Sequence, residues 1–187
     1  MVNLTDRQSS AEIIESCRQG DRNAFRALYD MYKDRVYSIS LYFFHGDQAM
    51  ASDVTQQVFL KLLTHIDQFR DDSEFSTWLY RVVVNLCTDT ARRGKWEAVS
   101  SDRPHAESVE RPGSQEDDYA RAQMASSVRA AVSALPPKLR IAVLLRYFED
   151  LSYEQMSQAL GCSMGTVASR LSRGHKMLAE RLRGLRS

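Results

Sequence analysis

LSYEQMSQALGCSMGTVASRLSRGHKML, from Leu151 to Leu178, is the stretch whose reading decides the fold. Ser152-Tyr153-Glu154-Gln155 has the spacing of a capping box: the Ser152 hydroxyl can accept from the backbone N–H three residues on, while the Gln155 side chain reaches back. A short helix is predicted to run to Leu160. Gly161 supplies the left-handed turn, and Ser163 can cap a second helix beginning at Met164. Met156, Leu160, Cys162, Val167 and Leu171 make a small shared core, with Ser157 small enough to let the helices cross closely. Helix, three-residue turn and helix fit a DNA-binding helix-turn-helix.

On the second helix Thr166, Ser169, Arg170 and Arg173 lie within about 100° of arc, with Val167, Leu171 and Leu178 on the inner stripe. A face of hydroxyls and guanidiniums suits a major groove: Arg takes bidentate contacts to guanine, and Ser or Thr bonds phosphates or bases. Lys176, Arg181, Arg183 and Arg186 extend the positive charge. An ordinary helical hairpin with a basic surface has the same periodicity, but turn, caps and charge together favour DNA.

Working outward, the charge is unevenly spread. The net formal charge over 187 residues is only +1, yet residues 138–187 hold nine Lys/Arg against four Asp/Glu, a balance of +5. Residues 97–123 hold three against seven, a balance of −4. All four prolines, Pro104, Pro112, Pro136 and Pro137, lie beyond residue 103. Residues 97–118, rich in Ser, Pro and acid, read as a flexible acidic linker between an N-terminal domain over 1–96 and a C-terminal domain over 119–187.

The N-terminal part is helical by its punctuation. Asp21 can cap a helix whose apolar positions include Phe25, Leu28, Tyr29, Tyr32, Val36 and Ile39. Gly46 ends it, Asp47 can cap the next, and Val54, Val58, Leu62 and Ile66 recur at four-residue spacing. Strand-like alternation is scarce, so the fold class is all-α, two small helical domains of which the second holds the helix-turn-helix. Ser76 as cap and Gly94 as C-terminal stop predict one more helix over Thr77 to Arg93. Leu79, Val82, Val83, Leu86 and Thr90 fall on one side of it, and Thr77, Arg81, Asn85, Thr88 and Arg92 opposite. Trp78 sits at the edge of the polar face. An indole beside Arg and Asn, followed by Arg92, Arg93 and Lys95, suits nucleic acid equally as well as a plain solvated face with Trp78 in the core.

Composition excludes other classes. Hydrophobic residues are 43% and charged residues 26%, as in ordinary globular chains, so wholesale disorder is out. No apolar run approaches the roughly 18 residues of a membrane span, which predicts no membrane insertion. The N-terminus lacks a basic start followed by an apolar stretch, which predicts the cytoplasm. Cys17, Cys87 and Cys162 have neither zinc-ligand spacing nor a disulfide pattern and read as buried thiols; no metal or other cofactor is expected. An enzyme using Cys87 or Cys162 with His45, His65, His105 or His175 has no supporting signature, and no phosphate-binding glycine loop is present.

Taken in order, these residues resemble the extracytoplasmic-function group of bacterial RNA polymerase sigma factors, in the sigma-70 family, over nearly the whole chain. The matching stretches are ASDVTQQVFLKLL from Ala51 to Leu63, FRDDSEFSTWLYRVVVNLCTDTARR from Phe69 to Arg93, LPPKLR from Leu135 to Arg140, and the helix-turn-helix segment. The resemblance implies a non-enzymatic subunit that directs RNA polymerase to specific promoters and assists melting, its first domain resembling sigma region 2 and its second region 4. It implies as partners the polymerase core, through clamp helices and flap, and promoter DNA, with an anti-sigma factor as a further candidate. By resemblance Asp53, Gln56, Gln57, Phe59, Leu60 and Lys61 face the clamp helices, with at least one of Phe59 and Leu60 expected in the core. By the same resemblance Asn85, with Trp78, Arg81, Asp89, Arg92 and Arg93, lies on the melted or upstream part of the minus ten region, and the loop from Phe69 to Phe75 takes a flipped base. Thr166, Ser169, Arg170, Ser172, Arg173 and Lys176 meet the minus thirty-five element, although Ser172 points away from Thr166 on an ideal helix. The chain departs from the family pattern at Gln57, usually Glu, at Ser163, usually Pro, and at Ala168, usually basic. The alternative reading is a stand-alone helix-turn-helix regulator, which has no use for the Phe69 to Arg93 block.

Overall fold

Asp21, Asp47, Ser152 and Ser163 each open a helix, because their side-chain oxygens accept backbone N–H groups that the first helical turn leaves orphaned. Asp21 Oδ1 takes Asn23 N at 2.8 Å, Asp47 Oδ1 takes Met50 N at 2.9 Å, and Ser163 Oγ takes Thr166 N at 3.2 Å. The computed structural model describes residues 4–69, 74–97 and 115–183, and the side chains of 11–69, 74–93 and 123–183. Over these it forms α1 (Leu4–Arg18), α2 (Arg22–Phe43), α3 (Gln48–His65), α4 (Phe75–Glu97), α5 (Gln115–Ser133), α6 (Pro137–Phe148), α7 (Tyr153–Leu160) and α8 (Met164–Leu182), with one 3-10 turn at Ile66–Gln68. No strand occurs among the described residues.

The N-terminal stripes pack as their spacing predicts. Leu28, Tyr32, Val36 and Ile39 of α2 and Val54, Val58 and Leu62 of α3 are buried, with Ile66 just beyond. Two element limits differ from expectation. Helix α4 starts at Phe75, where Thr77 N and Trp78 N donate to Glu74 O, so Ser76 is inside the first turn. It also runs through Gly94 to Glu97, since a mid-helix glycine costs only about 1 kcal/mol and does not by itself end a helix. Helix α5 starts at Gln115, so residues 115–118 of the predicted linker are helical, and residues 98–114 lie outside the described residues.

Helix α6 is buried on nearly all sides from Leu139 to Leu145, which marks it as central. Pro137 occupies its first position, where a missing N–H removes nothing. Gly174 of α8 sits so near α6 that an added Cβ would stand 3.0 Å from Val143 Cγ2. The two halves are not held apart. Helix α2 packs on α6, and α4 packs on α7. One cluster of buried apolar residues runs from Ile14 to Leu171 across both.

Candidate nucleic-acid interface

The helix-turn-helix forms as its caps require. Gln155 N donates to Ser152 Oγ at 3.1 Å and Ser152 N to Gln155 Oε1 at 2.8 Å, completing the capping box. Gly161 ends α7 at φ 58, the left-handed region. Met156, Val167 and Leu171 are buried, with Leu160 and Cys162 packed against them. Ala159, buried at 1%, is a core member the periodicity did not pick out.

This leaves one side of α8 facing outward. Ser172, Arg173 and Lys176 are exposed, while Thr166, Ser169 and Arg170 are half-buried. Arg173 folds back: its Nη2 donates to Ser169 Oγ at 2.7 Å and its Nε to Ser169 O at 3.2 Å. Thr166 Oγ1 lies 3.0 Å from Ser163 Oγ.

The second polar face is on α4. Arg81, Asn85, Arg92 and Arg93 are exposed and Asp89 half-exposed, with Arg92 Nη2 donating to Asp89 Oδ1 at 3.1 Å. Thr77, predicted on this face, is instead 2% exposed, because α7 packs over the first turns of α4. Trp78 is half-buried in an aromatic cluster, 5.8 Å from Phe69 and 5.9 Å from Phe75 between ring centroids. Phe69 and Phe75 themselves are 3% and 6% exposed. Their rings brace the two roots of the connecting loop instead of lying open for a base to stack on, and Arg18 Nη2 holds Phe69 O at 2.5 Å. Loop residues 70–73, the centre of the predicted base pocket, lie outside the described residues.

Helix α3 presents the third surface. Asp53, Gln56, Gln57, Leu60 and Lys61 are all exposed on it. Phe59 is core, 4% exposed with its ring 4.7 Å from Tyr29, while Leu60 is 61% exposed. Leu63, 55% exposed one turn on, extends this face and was missed, since a leucine at helical spacing reads as core.

Between the halves lie groups that sequence reasoning also missed. Arg140 of α6, 5% exposed, donates through Nη2 to Ser133 O and Leu135 O at 2.6 and 2.8 Å. Its Nη1 donates to Phe43 O, the end of α2, and to His45 Nε2 at 3.1 Å. A guanidinium set against two helix C-termini meets their negative dipole ends and several orphan carbonyls at once. Burial still lowers its pKa. Glu149 accepts from Tyr80 Oη and stands 3.9 Å from Arg35 Nη1. Its side chain is 4% exposed, and burial raises the carboxyl pKa against the opposing pull of Tyr80 and Arg35. A charge inside the apolar run KLRIAVLL was the available signal for Arg140.

Burial pushes the Cys87 thiol up to about 12, which disfavours the thiolate form that a nucleophile needs. Among the described residues no group of His, Cys, Asp or Glu is arranged to hold a metal, and no helix is long and apolar enough to cross a membrane.

A helix-turn-helix with an outward basic face, joined to a bundle whose longest described helix carries a second face of Arg and Asn, defines an α-helical DNA-binding protein. The sigma-70 region 2 family matches residues 28–97 and the sigma-70 region 4 family residues 125–178. The chain is 30% identical to the ECF RNA polymerase sigma factor SigW of Bacillus subtilis, over 92% of this chain and 96% of that protein. It is 32% identical to the RNA polymerase sigma-H factor of Pseudomonas aeruginosa, over 97% of each chain. In fold it is similar to CnrH, solved in complex with the cytosolic domain of CnrY, at TM-score 0.67 and 21% identity over 91% of this chain and 94% of that one. It is similar also to the sigma factor RpoE of Bartonella quintana, solved in complex with the anti-sigma factor NepR, at TM-score 0.67 and 24% identity over 84% and 96%. The chain belongs to the extracytoplasmic-function sigma factors of the sigma-70 family, which direct RNA polymerase in transcription initiation. The region 2 match spans the Phe69 to Arg93 block, so a stand-alone helix-turn-helix regulator is not favoured.

Proposed function

We propose that the two polar helix faces divide promoter recognition between them, in a cytoplasmic protein that works with the polymerase core and has no catalytic activity of its own. The observation that carries this is the pairing of an outward Arg/Ser/Thr face on α8 with an outward Arg/Asn face on α4, each inside its own family region and in the family's order. In this reading Thr166, Ser169, Arg170, Ser172, Arg173 and Lys176 meet the minus thirty-five element in the major groove. Trp78, Arg81, Asn85, Asp89, Arg92 and Arg93 hold the melted minus ten strand, while Phe69 and Phe75 shape the loop that receives a flipped base. Unstacking a base costs a few kcal/mol, which pocket and stacking contacts must offset. Asp53, Gln56, Gln57, Leu60 and Lys61 dock on the clamp helices, and the C-terminal half meets the flap. The domain division at 1–96, 97–118 and 119–187 follows from the same reading, and an anti-sigma protein is a further partner.

Run-off transcription tests it. Core polymerase and this chain, given a library of promoter fragments, are expected to yield discrete transcripts that core alone does not. Transcripts identical with and without the chain would overturn the reading.

A further inference from the structure

We infer that Arg18 of α1 is a positioning residue for minus ten recognition, fixing the root of the loop that receives the flipped base. This rests on the reading of Phe69 and Phe75 given above. Helix α1 precedes the region 2 match, which begins at residue 28. Ile14 and Cys17 are buried and seat one side of α1 on the bundle, where it packs against α2 and against the 3-10 turn at Ile66–Gln68. Arg18, the residue after Cys17, is thereby delivered to Phe69, the residue after that turn.

The Arg18 guanidinium makes three contacts at once. Nη2 donates to Phe69 O at 2.5 Å, Cζ lies 5.9 Å from the Phe69 ring centre, and Nη1 donates to Glu15 Oε2 at 3.1 Å. A planar, delocalised cation can meet a carbonyl, an aromatic ring and a carboxylate together, which the single nitrogen of a lysine cannot. Gln19 Nε2 donates to Glu15 Oε1 at 3.4 Å, so the carboxylate that orients Arg18 is itself held. Phe69 is thus tied at both ends of its backbone, since its own N donates to Ile66 O at 3.1 Å. Its ring, 5.4 Å from that of Phe75 and at 88° to it, carries the restraint across to the other root, where α4 begins. A base pocket discriminates only while its walls stay within about 0.5 Å of the geometry that fits one base. Loss of Arg18 therefore blurs the choice of flipped base, instead of weakening promoter binding across the board.

Trp78 reports on the loop roots, being in ring contact with both Phe69 and Phe75, once Trp96, the second of the two tryptophans, is replaced by Phe. In the full chain carrying Trp96→Phe, Arg18→Met is expected to raise acrylamide quenching of Trp78 several-fold with helicity by circular dichroism unchanged. Holoenzyme is then assayed by run-off transcription on promoters carrying each of the four bases at every minus ten position, the flipped position being the one where 2-aminopurine brightens with the parent chain. Arg18→Met should flatten the base preference at that position several-fold and leave the preferences at minus thirty-five and at the other minus ten positions as they are. Glu15→Ala, at a carboxylate 57% exposed, should move both readings in the same direction by a smaller factor, and it carries the test if Arg18→Met does not fold. Quenching unchanged in the variants that fold, an undiminished preference at the flipped position, or an equal loss of preference at every position overturns the role of Arg18. No brightening at any minus ten position with the parent chain, together with the rise in quenching, sinks the flipped-base reading and leaves Arg18 as the anchor of the loop root.

Discussion

Arg173 and Asn85 stand on the two faces proposed to meet DNA, and single substitutions separate their roles. Arg173 is parked on Ser169 by two hydrogen bonds, so it must release that hydroxyl to take a base. Arg173→Ala is expected to weaken binding of holoenzyme to its preferred promoter by about 1–3 kcal/mol relative to unrelated DNA. A uniform loss on all sequences with a shallower salt dependence, measured by titration at several salt concentrations, makes it a phosphate contact instead. Asn85→Ala should impair opening more than closed-complex formation, read as permanganate reactivity around the start site; unchanged reactivity refutes that role. Arg140 is a structural residue of a different kind. Replacing it by Met strands the carbonyls of Ser133, Leu135 and Phe43, which at about 1–3 kcal/mol per buried unsatisfied group predicts a large fall in stability by urea unfolding. Lysine should not rescue it, because a point charge cannot reach carbonyls on two helices as the planar fork does.

At the scale of elements, α3 separates core from contact surface within two adjacent residues. Phe59 is buried and Leu60 is not, so Leu60→Asp should leave the melting temperature nearly unchanged yet weaken core polymerase binding by about 1–3 kcal/mol. A drop in melting temperature would place Leu60 in the fold instead. The caps, the turn and the inner stripes were legible because each depends on a local pairing: Ser152 with Gln155, Asp47 with Met50, Gly161 at positive φ. Helix ends were less so. Gly94 looked like a stop, but the backbone hydrogen bonds of α4 continue through it. Thr77 was misplaced for a tertiary reason: its spacing is that of the polar face, and only the docking of α7, which no local pattern encodes, buries it.

For the whole molecule, the two helical domains that the sequence predicts are there, one in each family region, and beyond that expectation the halves share one buried cluster. The contact between the halves was illegible because its members, Tyr42, Phe43, Tyr80, Arg140, Glu149 and Gln155, are scattered along the chain, and even where the local setting stands out, as for Arg140 in its apolar run and Gln155 in its capping box, it does not name the partner across the contact. The faces themselves were legible, since their residues recur at helical spacing within a few turns. The proposed function has α4 and α8 acting on separate stretches of one promoter while an RNA polymerase holds them apart. The most direct measurement tethers an iron chelate to Thr88→Cys of α4 or to Ala179→Cys of α8 in holoenzyme on a productive promoter and maps the strand breaks. The expected cuts fall in two clusters about 25 base pairs apart, near minus ten from α4 and near minus thirty-five from α8. Overlapping cuts from the two positions, or none from either, would contradict it.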